Sequence, residues 1–166
     1  FPRNINPRYL RQCWLRMVVS NVKKVLKPAI LFSVGGTIYL LVEIVWRALR
    51  GSTPTHWTMF ILGGLCFLAI GAINEYFSWE TPFATQTIVG TSIVLLLEFI
   101  FGCILNLWLG LGIWDYSDTP FNILGQVCLP FAVAWLFLVG IAIILDDYLR
   151  YWLFKEDKPH YKWSLN

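Results

Sequence analysis

The chain has 166 residues, of which 57% are apolar and only 14% are charged, and its mean hydropathy is +0.61. Soluble domains hold about 45–50% apolar and about 25% charged residues, so this composition excludes an ordinary soluble enzyme domain, and it also excludes a disordered chain. A membrane-spanning helix needs about 20 apolar residues, which leaves room for about four spans with short tails. We therefore predict an all-α, polytopic membrane protein with four transmembrane helices.

The 13 basic residues are concentrated at the two ends of the chain. Since segments rich in lysine and arginine stay in the cytoplasm, both termini are expected there, which requires an even number of spans. The bases before residue 28 are Arg3, Arg8, Arg11, Arg16, Lys23, Lys24 and Lys27, and those after the last apolar run are Arg150, Lys155, Lys158 and Lys162.

Residues 1–27 have the pattern of a basic amphipathic helix. Apolar residues recur at helical spacing after Pro7, and most of the bases lie away from that stripe. We expect the helix to lie on the cytoplasmic leaflet and to bind anionic lipids, the alternative being a helix that packs on a soluble partner. The interleaved apolar stripe argues against nucleic acid as a partner. The candidate lipid-binding residues are Arg8, Arg11, Arg16, Lys23 and Lys24.

Residues 28–146 form the predicted transmembrane domain, and residues 147–166 a cytoplasmic tail. Pro130 lies inside the fourth apolar run, so that helix is either kinked there or begins properly at Pro130. The first and third loops between the spans are expected to face outward, and the second is expected to face the cytoplasm. The predicted spans are residues 28–45, 57–73, 87–109 and 125–145, and the loops are residues 47–56, 74–82 and 112–122.

Two carboxylates lie within the apolar runs, where an ionisable side chain needs a partner or an aqueous cavity. Glu43 and Arg47 can pair on one face of the first span, either to fix the depth of the helix or as part of a ligand site. Glu98 lies midway along the third span with no cation on its own helix. It is protonated, held by hydrogen bonds, or paired with Arg47 or His56 from a neighbouring helix.

Small and polar residues at helical spacing place Glu98 on a stripe that must face the bundle interior or an oligomer axis. A functional site is the default interpretation of an intramembrane carboxylate, and structural hydrogen bonding is the alternative. The stripe consists of Thr91, Glu98, Gly102 and Asn106.

The motifs of the commonest enzyme and metal sites are missing from the sequence. It has no P-loop, no H-E-x-x-H, no G-x-S-x-G and no C-x-x-C pair. We therefore expect no cofactor and no metal, and we lean against an enzyme. The remaining enzyme hypothesis is an intramembrane lipid- or peptide-acting protein that uses Glu98, Asp115 and His56.

Several longer motifs extend over residues 34–140. They are Gly35-Gly36-Thr37-Ile38-Tyr39 with Glu43 and Trp46-Arg47, Thr55-His56-Trp57-Thr58-Met59-Phe60-Ile61-Leu62-Gly63-Gly64, Gly71 with Asn74-Glu75, Glu98 with Gly102 and Asn106, and Trp114-Asp115-Tyr116-Ser117 followed by Pro120-Phe121-Asn122 and Gly125-Gln126. In these motifs the chain resembles the ABC-transporter type IV (CmpB-like) family of bacterial integral membrane proteins. It departs from the family in loop one, where either Arg47 or Arg50 corresponds to the basic residue of the motif.

The resemblance implies a multi-pass protein of the bacterial inner (plasma) membrane. It directs attention to Glu43, Glu98, Asp115, Asn122 and Gln126. Loop three is either a re-entrant element whose polar groups line a cavity, or an extracellular turn in which Asp118 or Thr119 caps a helix that starts at Pro120.

The leading hypothesis is a small permease or channel-like protein, either a homo-oligomer or the membrane subunit of a transporter with a separate ATPase or other membrane subunit. Glu98 with Asn106 lines its site, and Glu43 with Arg47 gates or braces the outer end. The alternative is a non-catalytic membrane scaffold or regulatory subunit. The candidate substrate- or ion-binding residues are Glu98, Asn106, Glu43, Arg47, Asp115, Asn122 and Gln126.

Overall fold

The computed structural model describes the backbone of residues 7–52 and 54–164. It describes the side chains of Trp14, Met17 and Val22 and those of residues 24–52 and 54–164. The side chains of Arg8, Arg11, Arg16 and Lys23 therefore lie outside the described residues, and lipid binding by them stays a prediction. The chain divides into two compact units, with the boundary between Ile30 and Leu31.

Helices account for nearly all of the regular structure. The elements, in chain order, are α1 (Pro7–Arg50), α2 (Thr58–Tyr76), α3 (Phe83–Gly102) continued by a π-helical segment (Cys103–Trp108), β1 (Asn122–Ile123), β2 (Val127–Cys128) and α4 (Leu129–Phe154). Within the described residues, four helical segments are long and apolar enough to cross a membrane: Lys24–Arg50, Thr58–Tyr76, Phe83–Trp108 and Leu129–Phe154. The predicted all-α class with four membrane helices is confirmed.

The helix bounds differ from the predicted spans for identifiable reasons. α1 is one continuous helix that contains Pro28, so the proline does not separate an N-terminal helix from the first span. α4 begins at Leu129, with Pro130 in its first turn, where the missing N–H of proline has no intrahelical partner to lose. The helix therefore begins near Pro130 and is not kinked there. It ends where Lys155 adopts a left-handed conformation, with φ of 59°.

The core lies between α2, α3 and α4. Leu62, Val94, Val139 and Ile143 are at most 1% exposed and fill the space between these helices. The glycines of α2 allow close approach, because an added Cβ at Gly63 would overlap the Cβ of Tyr39 on α1. The interior of the bundle is therefore filled by side chains.

The chain between the π-helical segment and α4 contains a short hairpin instead of a helix. β1 and β2 pair antiparallel, with Asn122 opposite Cys128 and Ile123 opposite Val127. The turn between them includes Gly125, whose φ is +68°. No helix begins at Pro120, so the predicted cap at Asp118 or Thr119 is wrong.

We call the end of the bundle that contains Arg47 and residues 109–128 the loop end, and the end that contains residues 74–82 and 146–164 the tail end. At the tail end, Pro82 and Lys162 form a parallel β-bridge, in which the N–H of Phe83 donates to the Lys162 carbonyl oxygen at 2.8 Å. The C-terminal segment thus folds back onto the connection between α2 and α3.

Candidate functional site

Glu98 lies inside the helix bundle, and its side chain is 4% exposed. Trp135 of α4 donates its indole N–H to Oε2 at 2.7 Å, and the Tyr39 hydroxyl of α1 lies 3.3 Å from Oε1. The Tyr39 and Trp135 rings stack on each other, with centroids 5.5 Å apart. Three helices therefore enclose one carboxyl group, which is held by hydrogen bonds.

The stripe on α3 faces the interior of this chain. Thr91, Glu98 and Gly102 are all buried, and the Thr91 hydroxyl donates to the carbonyl oxygen of Thr87 at 2.8 Å. His56 does not reach Glu98, since its Nδ1 lies 2.9 Å from the Thr58 hydroxyl at the start of α2. In the described structure Thr91, Glu98 and Gly102 lie inside the helix bundle of this one chain.

An apolar layer separates Glu98 from the tail end. Val94 and Val139 each lie one helical turn from Glu98 and Trp135 in that direction, and both are fully buried. Val139 packs so closely on α3 that a Cβ at Gly90 would meet its Cγ1 at 2.7 Å. Two buried valines therefore lie between Glu98 and the tail end.

Arg47 connects α1 to the chain at the loop end. Its Nε lies 2.6 Å from Oε1 of Glu43, and its Nη2 donates to the carbonyl oxygen of Ile113 at 2.7 Å. Arg50, the other base considered in the sequence, lies over the Trp46 ring at 4.4 Å. The Glu43–Arg47 pair predicted from their spacing is therefore present, and it holds loop three against α1.

Asn106 and Gln126 hold loop three in place by hydrogen bonds. Asn106 donates to the Gln126 side-chain oxygen at 2.8 Å and accepts from the N–H of Ile113 at 2.7 Å. Gln126 donates to the carbonyl oxygen of Leu124, and its own carbonyl accepts from the Trp114 indole at 3.0 Å. The hydrogen-bond partners of Glu98 are Tyr39 and Trp135, and those of Asn106 and Gln126 lie in loop three and its neighbouring turns.

Asp115 and Asn122 stabilise turns within the same loop. The hydroxyl and N–H of Ser117 donate to Oδ1 of Asp115, which holds the pKa of this exposed carboxyl below its usual range. Asn122 donates to the carbonyl oxygens of Ser117 and Thr119 and accepts from the N–H of Gly125 at 3.1 Å. Both side chains are engaged in local hydrogen bonds, as expected of residues that shape a loop.

A second polar cluster, which we call the tail-end cluster, was not predicted from the sequence. Arg150 contacts Asp146 through Nε at 2.5 Å and Glu75 through Nη1 at 2.8 Å. Asp147 accepts from Asn74 at 2.7 Å and from the Tyr161 hydroxyl at 2.8 Å. Asp146 is 0% exposed and Arg150 is 8% exposed, so this ion pair is buried, whereas the Glu75 side chain is 60% exposed. Burial and the neighbouring Asp147 carboxylate raise the pKa of Tyr161.

The spacing of Asp146 and Arg150 was the available signal for this cluster. The two residues are four apart in the last turns of an apolar helix, the same pattern that identified Glu43 and Arg47. The predicted start of the tail at residue 147 placed Arg150 outside the membrane domain. An open cleft of about 300 Å³ adjoins the cluster, lined by Asn74, Glu75, Trp79, Asp147, Arg150, Glu156 and Asp157.

The residues that the structure describes include no group of three or more His, Cys, Asp or Glu side chains arranged to hold a metal ion. Cys66 and Cys128 are buried free thiols, and Cys103 is half-buried. The polar chemistry of the described interior is therefore that of carboxyl, hydroxyl, indole, amide and guanidinium groups.

One family model matches most of the chain. The model described as Putative ABC-transporter type IV matches residues 30–161. The matched range contains the Glu98 environment, loop three and the tail-end cluster. No curated protein and no solved structure matches the chain.

Proposed function

Because the chain belongs to the family described as Putative ABC-transporter type IV, we propose that it is a small integral membrane permease. The observation that carries the proposal is the Glu98 carboxyl group, held by Tyr39 and Trp135 inside a bundle of helices of membrane-spanning length. An ionisable side chain at membrane depth is costly, and such residues mark ion and substrate pathways. Glu98 is the residue with which the transported solute or ion interacts.

Transport needs a second arrangement of the bundle. In the described conformation, Glu98 is separated from the tail end by Val94 and Val139, and loop three is held to α1 at the other end by Arg47 and Ile113. A permease of this kind works by opening one end at a time. The bond between Arg47 and the Ile113 carbonyl is a contact that breaks when the loop end opens.

The proposal includes the setting of the protein. It lies in the bacterial inner membrane with both termini in the cytoplasm, and Lys24 with the other N-terminal bases binds anionic lipid. It works as a homo-oligomer or with a separate ATPase or other membrane subunit. Large apolar side chains on the outside of α1 and α4, among them Leu41, Val45, Phe137 and Ile141, are exposed for contact with lipid or with such partners.

Uptake into vesicles tests the permease proposal. The protein is purified from its own membrane with any associated subunit, its assembly is weighed by native mass spectrometry, and it is reconstituted into liposomes with ATP present. The vesicles are incubated with a defined mixture of salts, amino acids and sugars, and their contents are quantified by mass spectrometry. We expect at least one solute to accumulate above protein-free vesicles.

Glu98→Gln is the decisive variant in this assay, and Glu80→Gln is its matched control, since Glu80 is exposed in the connection between α2 and α3. Removing the interior charge should reduce uptake at least tenfold, whereas the exposed change should leave it unaltered. Equal uptake by Glu98→Gln and the native protein would remove Glu98 from the pathway. No uptake of any solute, together with a stoichiometric membrane partner, would identify a scaffold or regulatory subunit.

A further inference from the structure

The hydrogen bonds of Glu98 distinguish its two oxygens. The Trp135 indole N–H can only donate, so Oε2 accepts from it whether the carboxyl group is ionised or neutral. The Tyr39 hydroxyl can donate or accept, so a proton on Oε1 has an acceptor 3.3 Å away in the tyrosine oxygen. The pocket thus offers the neutral acid a donor at Oε2 and an acceptor at Oε1.

The charges around Glu98 favour the neutral acid. No described residue forms an ion pair with Glu98, and the salt bridge on the neighbouring turns of α1 is between Glu43 and Arg47. The titratable groups nearest this part of the core are Tyr39 of α1, which contacts Glu98, and Cys66 of α2 and Tyr116 of loop three, each of which is neutral or would add negative charge. An ionised carboxylate would therefore lie in an apolar interior without a paired cation among the described residues.

We propose that Glu98 is a proton-binding site of the transport pathway: in the closed bundle its carboxyl group carries a proton on Oε1, which it donates to the Tyr39 oxygen. When the interior opens, the O–H bond of the acid breaks and the proton passes to water that enters, leaving the carboxylate. The release of the proton to water rests on the proposed permease function, whereas the protonation of Glu98 in the closed bundle does not. The chemical class of the bound species is the proton.

Infrared difference spectroscopy of the full chain in lipid vesicles tests this at near-neutral pH, where exposed glutamates are ionised. The spectrum of the native protein minus that of Glu98→Gln should contain a carboxylic acid C=O stretch that disappears in the variant. The difference against Glu80→Gln should contain carboxylate bands and the amide bands of the new glutamine, with no carboxylic acid C=O stretch. If the difference spectrum of the native protein minus Glu98→Gln shows a carboxylate band and no acid band, Glu98 is ionised and the proposal is overturned.

Tyr39→Phe is the second variant, and it keeps the test valid if Glu98→Gln does not fold. Losing the tyrosine oxygen removes the acceptor of the acid proton, so the acid C=O band should shift in frequency while its area is retained. An unshifted band would place the proton elsewhere and contradict the assignment to Oε1. If the acid band is present but no solute is taken up, the proton site stands and the permease proposal fails. If solute is taken up but the acid band is absent, the permease proposal stands and the proton site fails.

Discussion

Replacing Arg150 with methionine is expected to lower the free energy of unfolding by about 3–5 kcal/mol, the loss seen when one partner of a buried ion pair is removed. Arg150 is 8% exposed and contacts both Asp146 and Glu75, and Asp146 is completely buried. Methionine keeps much of the length of the arginine side chain but leaves the Asp146 carboxylate without its guanidinium. The measurement is unfolding in detergent, followed by circular dichroism.

Arg50→Met is the matched control, because Arg50 lies over the exposed Trp46 ring. A cation–π contact at an exposed site contributes about 0.5–1 kcal/mol, so the control should be affected far less. Adding Asp146→Asn to Arg150→Met should recover a large part of the lost stability, since the uncompensated charge is removed. Equal effects of the two single variants would show that the tail-end cluster does not stabilise the fold.

Gly63→Ala is expected to destabilise the bundle by about 1–3 kcal/mol, the usual effect of overpacking a close contact. An added methyl group would overlap the Cβ and Cγ of Tyr39, atoms that cannot move aside without displacing α1. Because Tyr39 is the partner of Glu98, uptake should fall as well. The measurements are unfolding in detergent and the vesicle assay.

Gly140→Ala is the control for this change. Gly140 also lies in a membrane helix, but its nearest neighbours, on Phe83 and Thr87, would be 3.7 Å from an added Cβ, an ordinary contact distance. Since alanine favours helix over glycine by about 0.5–1 kcal/mol, this variant should be unchanged or slightly more stable. Loss of stability in Gly140→Ala and none in Gly63→Ala would contradict the described packing of α1 on α2.

The helices and the interior carboxylate were predictable because each depends on local composition. Long apolar runs define the spans, and a lone acid in the middle of such a run identified Glu98 before its neighbours were known. The pairing of Glu43 with Arg47 followed from their spacing. Arg47 also bonds to the Ile113 carbonyl at the loop end. Ile113 is 66 residues away from Arg47 in the chain, and no local pattern indicates this bond.

Loop three and the tail-end cluster were less predictable for the same reason. The polar residues of loop three have the composition of a binding loop, but Gln126 bonds to Asn106 across 20 residues, and Asn106 also bonds to the backbone of Ile113. The tail-end cluster joins Asn74 to Asp147 across 73 residues. Tertiary pairing of this kind determines whether a polar side chain shapes the fold or remains available to a ligand, and spacing along the sequence does not encode it.

The central claim, that the interior around Glu98 opens to water during transport, is tested most directly by the reactivity of Cys66. This thiol is 3% exposed and belongs to the core cluster against which Tyr39 and Trp135, the hydrogen-bond partners of Glu98, are packed. With Cys13, Cys103 and Cys128 replaced by serine, a charged, water-soluble methanethiosulfonate reagent is applied to protein in vesicles that still take up solute. We predict that Cys66 becomes modified on the time scale of uptake. A thiol that stays unmodified in the membrane, yet reacts fully in unfolded protein, would show a permanently sealed core and contradict the permease account.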